Sequence, residues 1–303
     1  MASAESKKLE EAYAQLSSIS RAHPDLPLEA VRALMSTTMS SVGAEPEGVT
    51  YAEVSADGVP ALWCLPAEHA RDRAILYTHG GGFIGGSPES HRKLTGHLAR
   101  AAGVSVLSID YALAPERAYP AAVDDAVTAY RWLRGQGFAA AHIATAGDSA
   151  GGGLCTSVVL RLRELGDELP AAVMPLSPWY DLELTGDTMV ASRGTGDAVS
   201  IDALEQMRAA YLQGGAEPSD PVANPMRADL AGFPPVLLHV GSAETLVCDS
   251  RNFAERAEAA GVDVTLVVEP EMLHVFPFGA GRMPEADAAV ARMAGWVRPK
   301  LGL

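Results

Sequence analysis

Residues 142–153 read HIATAGDSAGGG. A run of small and β-branched residues passes through Gly147-Asp148-Ser149-Ala150-Gly151 into a glycine-rich helix start. This G-x-S-x-G spacing at a strand-to-helix junction forces a serine onto a sharp turn, so its neighbours must be small if strand and helix are to pass closely. A hydroxyl held there projects above the sheet as a nucleophile, whereas a glycine-rich turn with an incidental serine would carry no chemistry. The motif alone does not choose between the two.

Upstream, ILYTHGGGFIGG (75–86) ends an apolar run in glycines. Gly80-x-Gly82-x-x-Gly85 satisfies the spacing of a dinucleotide-binding loop, with Asp110 at the end of the next strand as a ribose-binding acid. The same glycines could instead aim bare N–H groups at a developing oxyanion. In a dinucleotide site the helix begins inside the glycine motif. Here Ser87-Pro88-Glu89-Ser90 starts it later, with Ser87 as N-cap, Pro88 at N1 and Glu89 in the first turn. With Ser90 rather than Glu or Gln at N3, a full capping box is not expected. The oxyanion reading also gains the N–H of Ala150, the residue after the serine.

The order of elements around these motifs is regular. VTYAEV and VPALWCLP flank Ala56-Asp57-Gly58, a hairpin signal. RAILYTH, VSVLSID, HIATAG, AAVMPLSP, PPVLLHVG and DVTLVVEP then read as strands, separated by helices from Ser87, near Ala121, from Ala150 and from Asp249, with a last helix ending near Val297. Such alternation predicts an α/β fold: a mostly parallel sheet of about eight strands, helices on both faces and an antiparallel leading edge. Two segments stand outside the rhythm. Residues 1–45 carry only helical periodicity (Leu9, Tyr13, Leu16), and residues 183–233 are too long for a plain connection and include the amphipathic IDALEQMRAAYL. Both are expected to form a helical cap on a catalytic domain spanning 46–303.

A nucleophilic serine needs a base and an acid that orients it. Of the eight histidines, His274 alone follows the final strand. His239 lies inside a strand and reads as a satisfied core residue, His142 begins one, and His91, His97, His23 and His69 fall on helices or surface loops. His79 reads as a brace for the glycine loop. For the acid, Glu244 stands three residues beyond Gly241 at a strand end and is favoured; Asp181 and Asp249 remain, the latter also readable as a helix cap.

Composition narrows the partners. The 303 residues carry 23 Lys and Arg against 38 Asp and Glu, a formal charge of −15, which repels nucleic acid and anionic membrane surfaces. No apolar run approaches the roughly 20 residues of a membrane span, and the first twenty residues hold no apolar signal region. Cys64, Cys155 and Cys248 form no CxxC pair, so the chain is expected to be cytoplasmic with buried thiols.

HGGGF (79–83), DYALAPERAYPAAVDD (110–125), GDSAGG (147–152), SPWYDL (177–182), GSAETLVCDS (241–250) and HVFP (274–277) together resemble the hormone-sensitive-lipase-like, bacterial family IV esterases of the α/β-hydrolase superfamily, in family order. The resemblance covers about residues 50–300. It implies hydrolysis of short-chain carboxylic esters by Ser149, His274 and an acid, with Gly81, Gly82 and Ala150 as the oxyanion hole, Phe83 and Trp179 near the substrate, no cofactor or metal, and a homodimer paired through the last strand and helix. Many members have Asp-Pro-Leu at the acid position where this chain has Glu244-Thr245-Leu246. Amide or lactone cleavage uses the same residues, and a non-catalytic receptor would be expected to lose the histidine that this chain keeps.

Overall fold

The structure, a computed structural model, describes residues 2–195 and 197–303, so that within the 183–233 segment only Gly196 lies outside the described residues. Eight strands form one sheet: β1 (Val49–Ala56), β2 (Val59–Pro66), β3 (Ala70–Thr78), β4 (Val104–Ile109), β5 (Ile143–Asp148), β6 (Ala172–Leu176), β7 (Val236–Gly241) and β8 (Val264–Glu269). Their spatial order is β1-β2-β4-β3-β5-β6-β7-β8. β1 and β2 pair antiparallel through a two-residue turn at Asp57-Gly58, and β2 pairs antiparallel with β4. From β4 to β8 every pairing is parallel.

Strands buried on both faces are predominantly apolar, and β4 through β7 are buried throughout. Alternate residues still serve opposite faces. Ile75 and Tyr77 join a core beneath α3 (Pro88–Ala102) and α9 (Pro284–Lys300), with Leu94, Leu98, Val290 and Met293. Leu76 turns to the other core, which it shares with Tyr130 of α4 (Ala121–Gly135), Val158 of α5 (Ala150–Leu165) and Phe253 of α8 (Val247–Ala259). The outer strands are less covered: β8 is half-buried along its whole length.

Chain direction decides where a site can form. β4 lies on one side of β3 and β5 on the other, so the strand order reverses there and the connections leave in opposite directions, opening a crevice at the strand C-termini. Thr78 pairs with Gly147 at that edge, which brings the glycine loop and the serine turn side by side. Above the crevice lie α1 (Lys7–Ala22), α2 (Leu28–Val42) and α7 (Ile201–Tyr211); α6 (Asp187–Ala191) belongs to the same long insertion. Tyr13 and Leu16 of α1, Met35 and Met39 of α2, and Leu204 and Met207 of α7 close a cavity over Ser149.

The start of α3 corrects one expectation. Ser90 N–H donates to Ser87 Oγ at 3.1 Å, and Ser90 Oγ in turn accepts from Ser87 N–H at 2.9 Å, so a reciprocal capping box is present. A serine hydroxyl reaches back as a longer carboxylate would. The helix stops at Gly103, in the left-handed region at φ 64°. Two boundaries also shift: α8 begins at Val247, placing Asp249 in its first turn, and α9 runs through Lys300.

Ser87→Ala removes the N-cap oxygen that accepts from Ser90 N–H, and its expected cost is about 1 kcal/mol of global stability, as for other lost N-caps. Urea unfolding should show a lower midpoint with an unchanged slope; an unaltered midpoint would mean that the box contributes nothing.

Candidate active site

Ser149 has φ 54° and ψ −124°, outside the regions that L-residues ordinarily occupy. The surrounding backbone holds it there: Ser149 N–H donates to Leu176 O at 2.9 Å, and Ser149 O accepts from Trp179 N–H at 2.9 Å and Gly153 N–H at 3.1 Å. A Cβ on Gly147 would collide with the carbonyls of Gly151 and Thr78, and one on Gly151 with those of Thr78 and His79. Glycine at both positions is therefore what lets β3, β5 and α5 meet at this turn.

The oxyanion candidates lie alongside. Gly81 and Gly82 adopt φ 120° and 64°, open to glycine at little cost. Neither their N–H groups nor that of Ala150 have an acceptor among the described residues, and Gly81 and Gly82 share the cavity with Ser149. Asp148, fully buried, fixes the glycine loop to the serine turn: Oδ1 accepts from Gly80 N–H at 3.0 Å and from Tyr77 Oη–H at 2.7 Å, while Oδ2 lies 3.3 Å from His91 Nε2. Burial pushes this carboxyl up, but His91 and Tyr77 outweigh it and hold it below the usual range.

His91 is thus no surface histidine. It is fully buried between Asp148 and Ser90, and the helical periodicity of α3 was the signal that would have placed it inward. His79 is buried too, with Nδ1 2.8 Å from Gly80 O and its ring stacked on Tyr111 at 4.2 Å. Burial first, and then His91, lower its pKa to about 3, which keeps it neutral as a brace.

His274 and Glu244 meet across the ends of two strands. His274 Nδ1 lies 3.1 Å from Glu244 Oε1, an arrangement in which this nitrogen carries the proton, and His274 lines the cavity that also contains Ser149. Glu244 Oε2 accepts from Ser177 Oγ–H at 2.7 Å and Gly241 N–H at 3.0 Å. Ser177 Oγ also accepts from Val275 N–H at 3.1 Å, fastening the histidine loop to the end of β6. Tyr13 of α1 donates its hydroxyl to His274 O at 3.0 Å.

The other two acids face elsewhere. Asp181 closes its own turn, accepting from Glu183 N–H at 2.9 Å and Thr185 N–H at 2.7 Å. Asp249, read from sequence as a helix cap, instead accepts from Tyr180 N–H at 2.6 Å and Asp181 N–H at 2.9 Å. Burial raises its pKa to about 7, against the pull of those two N–H groups. His239 is buried, but neither ring nitrogen has a hydrogen-bond partner among the described residues, so the expected satisfied core histidine is not found; Glu269 Oε2 lies 3.6 Å away, and burial lowers its pKa to about 4. Trp179 lines the cavity over Ser149. Phe83 does not: it stacks on Tyr211 at 3.8 Å and supports Trp179 from behind at 5.9 Å. All three thiols are free and buried. Among the described residues no group of His, Cys, Asp and Glu is arranged to hold a metal, and no helix is long and apolar enough to cross a membrane.

Comparison with known proteins agrees with this architecture. Residues 75–278 match the family described as alpha/beta hydrolase fold. An acetyl-hydrolase of Streptomyces hygroscopicus is 40% identical over 242 residues, 80% of each chain. An esterase of Acinetobacter venetianus is 36% identical over 230 residues, 76% of each chain. The crystal structure of an esterase from the bacterial hormone-sensitive lipase family superposes with a TM-score of 0.91 at 39% identity, covering 100% of both chains. With its sheet order, serine turn and glycine loop in the same chain order, this protein belongs to the α/β-hydrolase family, in its bacterial hormone-sensitive-lipase branch.

Proposed function

We propose that the protein is a serine carboxylesterase acting on short-chain esters through Ser149, His274 and Glu244. The observation that carries this reading is the 3.1 Å contact of His274 Nδ1 with Glu244 beside a cavity lined by both His274 and Ser149; with Nδ1 engaged, Nε2 is the nitrogen left to act as base. Relatives named esterase and acetyl-hydrolase support the same class of chemistry.

In the first half-reaction Ser149 Oγ bonds to the ester carbonyl carbon while its proton passes to His274 Nε2. The carbonyl oxygen becomes an anion facing the N–H groups of Gly81, Gly82 and Ala150, each such donor being worth roughly 2.7–4 kcal/mol in the transition state. The carbon–alkoxy bond then breaks, the leaving oxygen takes the proton from His274, and an acyl-serine remains. Water enters, gives a proton to His274 and attacks the acyl carbon; the acid departs and the proton returns to Ser149. Glu244 keeps the imidazole in one tautomer and balances its transient positive charge.

α1, α2 and the 183–233 insertion act as a cap, because their side chains restrict the space above Ser149 to about 50 Å³. So small a space favours short acyl groups. A reducing cytoplasm suits three free buried thiols, and burial pushes Cys64 and Cys248 up to about 12 and 11, far from the reactive thiolate. The half-buried edge strand β8, beside α9, is the surface for pairing two copies.

Ser149→Ala should fold normally and lower kcat for p-nitrophenyl acetate by about 10⁶-fold, and Glu244→Gln by about 10⁴-fold. Substantial turnover by the serine variant would refute the mechanism. Asp249→Asn should retain most activity, and a loss matching that of Glu244→Gln would transfer the acid role to Asp249.

The Asp249 variant also tests its buried carboxyl. Its folded pKa, about 7, lies above the ordinary 3.8, so between these values the folded state holds a proton that the unfolded state has lost. This group's contribution to stability is complete below about pH 4 and is lost as pH rises through 7. Relative to Asp249→Asn, wild type should therefore lose stability between pH 5 and 8; a pH-independent difference in urea midpoints would show that the carboxyl does not titrate there.

A further inference from the structure

His274 borders two spaces of very different size. The first is the cavity of about 50 Å³ that contains Ser149, Gly81 and Gly82 and is walled by Met35, Met207 and Trp179. The second, about 550 Å³, opens between α1 and residues 242–245 and contains Glu10, Ala14, Asp197, Ser242 and Thr245. Tyr13, Ala198, Val199 and His274 line both and form the partition between them.

Ester cleavage assigns the two substituents of the carbonyl to opposite sides. The carbonyl oxygen must face the glycine loop, and the leaving oxygen must lie where His274 Nε2 can protonate it. The leaving group therefore extends past the imidazole, and the acyl chain points away from it, toward the methionine wall. We propose that the 550 Å³ chamber receives the leaving alcohol, so that the physiological substrate class is the acetyl-sized ester of a bulky alcohol; this rests on the esterase reading above. The lining of the chamber includes the carboxylates of Glu10, Asp197 and Glu244 and, among the described residues, no lysine or arginine, within a chain of net charge −15. An anionic alcohol would meet negative charge with no cation to offset it, so the alcohol is neutral or cationic.

Tyr13 and Val199 set the boundary between the two halves, and Met35 and Met207 limit the acyl half. Thioether side chains are flexible, but each reaches the site from a helix packed over the crevice, so the acyl space does not extend without moving α2 or α7. The alcohol side has no such ceiling.

Two isomeric esters test the assignment, because they differ only in which side of the carbonyl is bulky: cyclohexyl acetate and methyl cyclohexanecarboxylate. Wild type should favour the acetate in kcat/KM by about tenfold or more, the scale of discrimination that a tight apolar pocket imposes. Equal rates, or a preference for the methyl ester, overturn the proposal. Inactivity toward p-nitrophenyl acetate would instead overturn the esterase reading beneath it. Met207→Ala should raise the methyl cyclohexanecarboxylate rate relative to cyclohexyl acetate, and Ala14→Phe should lower cyclohexyl acetate turnover more than methyl acetate turnover; the reverse pattern would exchange the two spaces. For charge, acetoxyacetate should be hydrolysed more slowly than neutral 2-acetoxyacetamide, with the gap narrowing as salt rises. Equal rates at low salt would remove the charge selection.

Discussion

Ser149 sits on a backbone that few residues adopt, and the surrounding structure is arranged to keep it there. Strain of this kind costs on the order of 1–3 kcal/mol and persists only where neighbouring interactions over-determine it. Three do so here: the N–H of Ser149 is bound by the end of β6, its carbonyl is bound by Trp179 and Gly153, and α5 beyond it is almost wholly buried. Because Gly147 and Gly151 let carbonyls of β3 and α5 press directly against the turn, the serine cannot relax without separating the two central strands. The position of one hydroxyl is thus tied to the packing of the sheet.

The same reasoning extends outward through two buried polar links. Asp148, next to the serine in sequence, holds Gly80 by its N–H, so the loop after β3 moves with the turn after β5. Ser177, at the end of β6 and itself at φ 44°, gives its proton to Glu244 and accepts one from Val275. That single hydroxyl joins the loop after β6 to the acid after β7 and the histidine after β8. Five strand ends and the intervening loops therefore share a connected set of hydrogen bonds, with few degrees of freedom left at the ends of the strands. Tyr13 adds α1 to it through the carbonyl of His274.

Much of this was legible in the sequence because it depends on local steric rules. Glycines at 147 and 151, the apolar strands and their alternation with helices each have one economical explanation, and the structure follows it. The capping serine was misread because the rule for N3 was taken as a rule about carboxylates, although a hydroxyl with the right rotamer makes the same bond. The roles of His91 and Ser177 were not legible for a different reason, although the periodicity of α3 does point His91 inward. Their roles depend on which side chain from another strand end faces them, and no periodicity encodes that. His239 shows the converse: its strand position correctly predicted burial, yet said nothing about whether a partner would be there. Phe83 is placed near the substrate only by the family resemblance; its ring stacks on Tyr211 and lies beside Trp179, which lines the cavity.

Asp148, Asp249 and Glu244 show how far environment rather than spacing decides chemistry. Asp148 receives an amide N–H, a phenol and an imidazole, which together overcome the cost of burial and keep it ionised as a fixed brace. Asp249 receives two amide N–H groups and a weak contact from the Cys248 thiol, too little to offset complete desolvation, so its proton stays to about pH 7. Glu244 receives a hydroxyl and an amide on one oxygen and leaves the other for the imidazole of His274. That division ties one carboxylate oxygen to the frame and leaves the other to meet the imidazole. Among Asp148, Asp181, Glu244 and Asp249, Glu244 is the one whose carboxylate meets His274, so the acid role proposed for it rests on the hydrogen-bond inventory and not on distance from a strand end.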